Sequence, residues 1–160
     1  MERDASRECL ASLLSEEAAG LRQFEALLER EHQALAAQDM EKIQSTARTR
    51  QEQLGSLAQI EEQRRALCRL HGHSDDKPGL EALMSWCDPD GSLLPTLSDC
   101  AQRALRCRNL NDRNGALVTA MLRHVERRLA VLRGESNMTV IYGPRGYSAA
   151  GQSKRILGAV

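Results

Sequence analysis

At 160 residues, 41% apolar and 28% charged, the chain is sized for one globular domain and excludes a disordered one. Its 22 basic residues balance 22 acidic ones, so no overall field draws nucleic acid or an anionic membrane, and neither partner is expected. Aromatic residues make up only 2% (Phe24, Trp86, Tyr142, Tyr147), which leaves an aliphatic core and argues for helices over a sheet.

The five cysteines (Cys9, Cys68, Cys87, Cys100, Cys107) form an odd, scattered set that suits reduced thiols in the cytoplasm better than a disulfide framework. The opening MERDASRECLASLLSEE alternates charge with leucine and lacks the apolar run of a signal peptide. No apolar stretch approaches the roughly 18 residues of a membrane span, so stable membrane insertion is not expected either.

From Glu8 to Leu35, Leu10, Leu14, Leu21, Phe24, Leu28 and Leu35 fall on a three-four alternation, with Glu17 and Glu31 filling its two gaps. Leu13 and Leu27 widen the seam. The pattern breaks at Gln38-Asp39, where Asp39 can cap a second helix. That helix runs from Met40 to about Leu70 through Ile43, Ala47, Leu54, Leu57, Ile60, Leu67 and Leu70, with Glu61 and Arg65 as an ion pair one turn apart. Two helices of this length, each about 45 Å at 1.5 Å per residue, predict an elongated antiparallel hairpin.

Residues 71–95 hold three of the four prolines and read as a connector. Within it Pro78 to Cys87 is a short helix, started by Asp75 or Asp76 and ended before Asp88-Pro89-Asp90-Gly91, with Leu83 and Trp86 to seat it. The last long helix runs from Leu94 or Pro95 to Arg133, stopped by Gly134. Its stripe is Leu97, Ala101, Ala104, Cys107, Asn111, Asn114, Val118, Met121, Val125, Leu129 and Leu132. Leu105, Leu110, Leu117 and Leu122 lie off that stripe, so one bundle face is left uncovered for an amphipathic helix, unless the first two helices cover everything. The fold expected is all-α, an elongated antiparallel bundle of three long helices plus one short connector helix. Its domains are a bundle over 1–134 and a flexible, glycine-rich tail over 135–160.

Several motifs point at chemistry and fall short. Gly146 to Ser153 comes close to a phosphate-binding loop, but Gln152 stands where the lysine belongs and no strand precedes it, so no nucleotide is expected. Cys68, His71, His73, Asp75 and Asp76 lack the second ligand pair of a zinc site, so no metal is expected. The four histidines (His32, His71, His73, His124) show no catalytic partner in sequence, and no cofactor or active site is assigned. Asn111 and Asn114 interrupt an apolar seam, where they are read as hydrogen-bonding across the bundle and fixing its register. Gly115, unfavourable in a helix, suggests close approach of another chain.

Leu110-Asn111-Asp112-Arg113-Asn114-Gly115, then a leucine-rich helix, a short polar linker and Val140-Ile141-Tyr142-Gly143-Pro144-Arg145-Gly146, together resemble the FlgN family of flagellar export chaperones. The resemblance implies a non-catalytic cytoplasmic chaperone that binds the C-terminal helices of hook-filament junction (hook-associated) proteins. It would prevent their early assembly and deliver them to the flagellar export gate. The client-binding residues implied are Asn111, Asn114, Leu117, Met121, Leu122, Val125 and Leu129. Ile141, Tyr142, Gly143 and Gly146 would dock on the gate. A structural coiled-coil adaptor that dimerises through its hairpin seam is the alternative.

Overall fold

The structure is a computed structural model that describes residues 2–134. Four helices follow in order: α1 (Glu2–Ala37), α2 (Met40–Leu70), α3 (Lys77–Cys87) and α4 (Leu94–Leu132), with no strand among the described residues. The chain divides into two compact units, Met1–Met121 and Leu122–Val160.

In the first unit α1 is the helix the others lean on. Twelve of its residues are buried, among them Leu10, Leu14, Leu21, Phe24, Leu28 and Leu35 of the expected seam. It starts six residues earlier than the apolar pattern does, with Glu2 and Asp4 in the first turn, where acidic side chains favour the positive end of the helix dipole. At its other end Gln38 takes a left-handed conformation (φ 54°). The Gln38 amide bonds Leu35 O at 3.1 Å and the Asp39 amide bonds Ala34 O at 3.0 Å. This pairing closes a helix C-terminus and is usually built on glycine. Asp39 then caps α2, its Oδ1 accepting the Lys42 amide at 3.1 Å.

The two glutamates in the α1 seam find their reason in α2. Arg50 Nη1 lies 3.1 Å from Glu31, and Arg64 Nε stands 3.8 Å from Glu17, attracted as a charge without a hydrogen bond. Both pairs set the same antiparallel register, since each step forward in α1 is matched by a step back in α2. The α2 face turned inward is therefore Ile43, Thr46, Arg50, Gln53, Leu57, Ile60, Arg64 and Leu67, all buried or half-buried. That corrects the stripe read from apolar residues alone: Leu54 is 40% and Leu70 76% exposed.

Gly72 (φ 73°) ends α2 by the same amide pairing, to Arg69 O and Cys68 O, each at 3.0 Å. Asp76 caps α3 through the Gly79 amide at 3.1 Å. Leu80, Leu83, Met84 and Cys87 of α3 close a core cluster with Leu10, Leu13, Leu14, Leu67 and Cys68. Trp86 does not join it; its ring packs against His71, centroids 4.8 Å apart, and stays 38% exposed. After α3 the buried Asp88 carboxylate organises the loop, accepting from the Leu93 amide and the Ser92 hydroxyl at 2.8 Å each and from Arg7 Nε at 3.2 Å. The loop is thereby held beside the start of α1, which sends α4 off parallel to α1.

Candidate helix-binding surface

Three buried side chains of α4, seven residues apart, reach the α1 backbone. Cys100 Sγ points at Leu14 O (3.5 Å), Cys107 Sγ at Leu21 O (3.7 Å), and Asn114 Nδ2 donates to Leu28 O (2.9 Å). The constant offset fixes a parallel register, and these three are the buried residues of α4. Burial pushes the thiols of Cys100 and Cys107 up, Cys100 to about 11, so both stay protonated near neutral pH. Ion pairs of Arg103 and Arg106 with Glu25 (3.1 Å each), and of Arg113 with Glu29 (2.8 Å), line the outside of the contact.

Asn114 sits in a polar knot at only 2% exposure. Besides Leu28 O, its Nδ2 donates to Glu31 Oε2 at 2.9 Å, and its Oδ1 accepts from His32 Nδ1 at 3.0 Å. Glu31 is held in turn by Arg50, which also bonds Asn111 Oδ1. Both asparagines hydrogen-bond across the bundle, one to α1 and the other to α2. His32 and His71 have partners that the sequence did not reveal: Asn114 for the first, and for the second Ser6 Oγ at 2.9 Å.

Up to Met121, the backbone of α4 stands off, with no Cα within 8 Å of a Cα in α1, α2 or α3. An open apolar groove results between α2 and α4, lined by Leu21, Phe24, Leu54, Leu57, Ala104 and Cys107. Of the residues expected in the seam, Ala104 is exposed along this opening and Ala101 along a second cavity beside Arg64, Cys68, Leu80 and Leu97, whereas Leu110 and Leu117, expected off it, are half-buried, with Leu110 packed on the core. The face turned to α1 is thus rotated from the stripe that hydropathy picks out. Met121, seven residues beyond Asn114, is half-buried. At Gly115 an added Cβ would meet nothing within 4 Å.

The second unit is described from Leu122 to Gly134. Here α4 is exposed along Leu122 (59%), Val125 (51%), Leu129 (43%) and Leu132 (83%), and Gly134 (φ 69°) ends it. Among the described residues no group of three or more His, Cys, Asp or Glu is placed to hold a metal ion, and no helix is long and apolar enough to cross a membrane. The proposed docking residues Ile141, Tyr142, Gly143 and Gly146, and the loop at Gly146 to Ser153, lie outside the described residues.

Long helices, a polar-locked seam and uncovered leucine and valine surfaces define a helical-bundle protein with an exposed apolar helix face. The family model described as FlgN protein matches residues 1–150, and the chain belongs to that family, one of flagellar export chaperones. No curated protein and no solved structure matches it.

Proposed function

We propose that the chain is a cytoplasmic chaperone for hook-filament junction (hook-associated) proteins, covering their C-terminal helices and handing them to the flagellar export gate. The observation that carries this reading is the uncovered stripe of Leu122, Val125 and Leu129 on the last helix of a FlgN-family chain. A client helix that would otherwise pack inside its own filament buries its apolar face there. Half-buried Leu117 and Met121 supply adaptable side chains nearer the seam. Asn111 and Asn114 serve the client from behind, the Asn114 amide and the Asn111 Oδ1 holding α4 in register. Ordering the client offsets part of the burial energy, so binding is moderate and release is possible.

Delivery is assigned to the segment beyond Gly134. Ile141 and Tyr142 offer an apolar anchor, while Gly143 and Gly146 permit the turn that presents it. The support for this part is family membership and sequence. The adaptor reading loses ground, because the hairpin seam through which an adaptor would dimerise is filled within the chain by Leu10, Leu14, Leu21 and Leu28.

The test is capture of the C-terminal helices of junction proteins by the full chain. Retention at micromolar concentration is expected, and none would overturn the proposal. Tyr142→Ala should impair delivery to the export machinery and leave capture intact; equal loss of both would contradict the division of roles.

A further inference from the structure

The end of α4 carries charge as well as an apolar stripe. Between Leu122 and Gly134, Arg123, Arg127, Arg128 and Arg133 face a single acidic residue, Glu126, and all are exposed. Leu122, Val125, Leu129 and Leu132 recur at steps of three and four, the spacing of a seam that receives one helix. At 3.6 residues per turn, Arg128 falls on one flank of that seam and Arg133 on the other, which it shares with Glu126 two turns earlier, with Arg123 and Arg127 behind. Among the described residues none of the four pairs with a carboxylate. On the earlier part of the same helix, Arg103, Arg106 and Arg113 each meet a glutamate of α1. Arg108 aside, arginines paired within the described residues thus give way to unpaired ones where the apolar stripe is uncovered.

We infer that the partner helix taken by this stripe bears acidic residues opposite Arg128 and Arg133, one on each flank of its own apolar face, an inference that rests on the client-binding reading above. Charge complementarity carries it. Carboxylates on the partner neutralise Arg128 and Arg133 at the rim, steer the encounter and set the orientation. Pairing with a second copy of the chain sets arginines against arginines and is opposed by the same charge. An anionic bilayer also answers to basic residues, but surface-lying helices present a broad apolar face with aromatic anchors. This stretch offers no aromatic residue, and apart from Val131 its exposed apolar side chains keep to the one stripe.

Two synthetic helical peptides with identical leucine heptads, one flanked by glutamate and the other by lysine, separate the possibilities when titrated onto the full chain by fluorescence anisotropy. The glutamate peptide is expected to bind about tenfold more tightly at low salt, the swing of two rim pairs from attraction to repulsion. The gap should narrow as salt is raised. Arg128→Glu combined with Arg133→Glu should reverse the preference, and Val125→Asp combined with Leu129→Asp should weaken both peptides. Equal affinity, a preference for lysine, or binding to phosphatidylserine vesicles with neither peptide retained would overturn the inference. So would concentration-dependent self-association in light scattering without peptide binding. If junction-protein helices are captured while the two peptides bind alike, the charge reading fails and the chaperone reading stands. If the glutamate peptide is preferred and junction helices are not captured, the reverse holds.

Discussion

Replacing Asn114 tests whether the polar knot holds α4 in place. Asn114→Ala removes three hydrogen bonds: to Glu31 Oε2, Leu28 O and His32 Nδ1, at 2.9, 2.9 and 3.0 Å. Glu31 keeps Arg50 and the Leu28 carbonyl stays within the α1 ladder, so no charge is stranded. One bond to a charged group and two to neutral groups then amount to about 3 kcal/mol. In urea, with a slope of about 1.5–2 kcal/mol/M, the midpoint should fall by about 1.5–2 M, read by far-ultraviolet circular dichroism. Asn114→Asp should cost more at neutral pH, because it sets a second carboxylate against Glu31 in a buried seam. The new carboxyl, buried beside Glu31, holds a proton in the folded state that the unfolded chain releases more readily. Its folded-state pKa is raised, so its extra loss is present at high pH and shrinks as pH falls. A loss below about 0.5 kcal/mol for Asn114→Ala, or identical pH profiles for the two variants, would refute the reasoning.

Gly79→Ala should destabilise by about 3 kcal/mol or more in the same assay, since the added Cβ would stand 1.7 Å from Ser74 O and the backbone before α3 must move; an unchanged midpoint would contradict the packing of that turn. Gly115→Ala should gain about 1 kcal/mol of helix propensity, because its Cβ meets nothing within 4 Å; a loss of stability would mean that α4 is packed where the structure leaves it open. At pH 8 iodoacetamide should alkylate exposed Cys9 quickly and the buried Cys68, Cys87, Cys100 and Cys107 slowly, as burial raises all four thiols. Mass spectrometry showing rapid labelling of more than one thiol in the folded chain would count against the buried seam.

Much of the punctuation of the fold was legible, because turn chemistry is local. Asp39, Asp76 and Gly134 start or stop helices through their own side chains or backbone freedom, whereas the left-handed turns at Gln38 and Gly72 came only with the structure. The helix faces were less so. Hydropathy selects large apolar residues, and the α2 face that meets α1 carries Thr46, Arg50, Gln53 and Arg64, which earn their place only through partners far along the chain. On α4 the seam is built from Cys100, Cys107 and Asn114, small or polar groups that reach backbone carbonyls, so the stripe drawn through Ala101 and Ala104 was turned away from its true direction. The gaps at Glu17 and Glu31 were visible. What they announced, an arginine opposite each, required the register of the hairpin.

The central claim is that leucine and valine at the end of α4 receive a client helix, and calorimetric titration of a junction protein's C-terminal helix into the full chain tests it most directly. The native chain should bind at micromolar concentration, and Val125→Asp with Leu129→Asp, at side chains 51% and 43% exposed, should abolish the heat without shifting the unfolding midpoint. Undiminished binding by that stably folded variant would contradict the account.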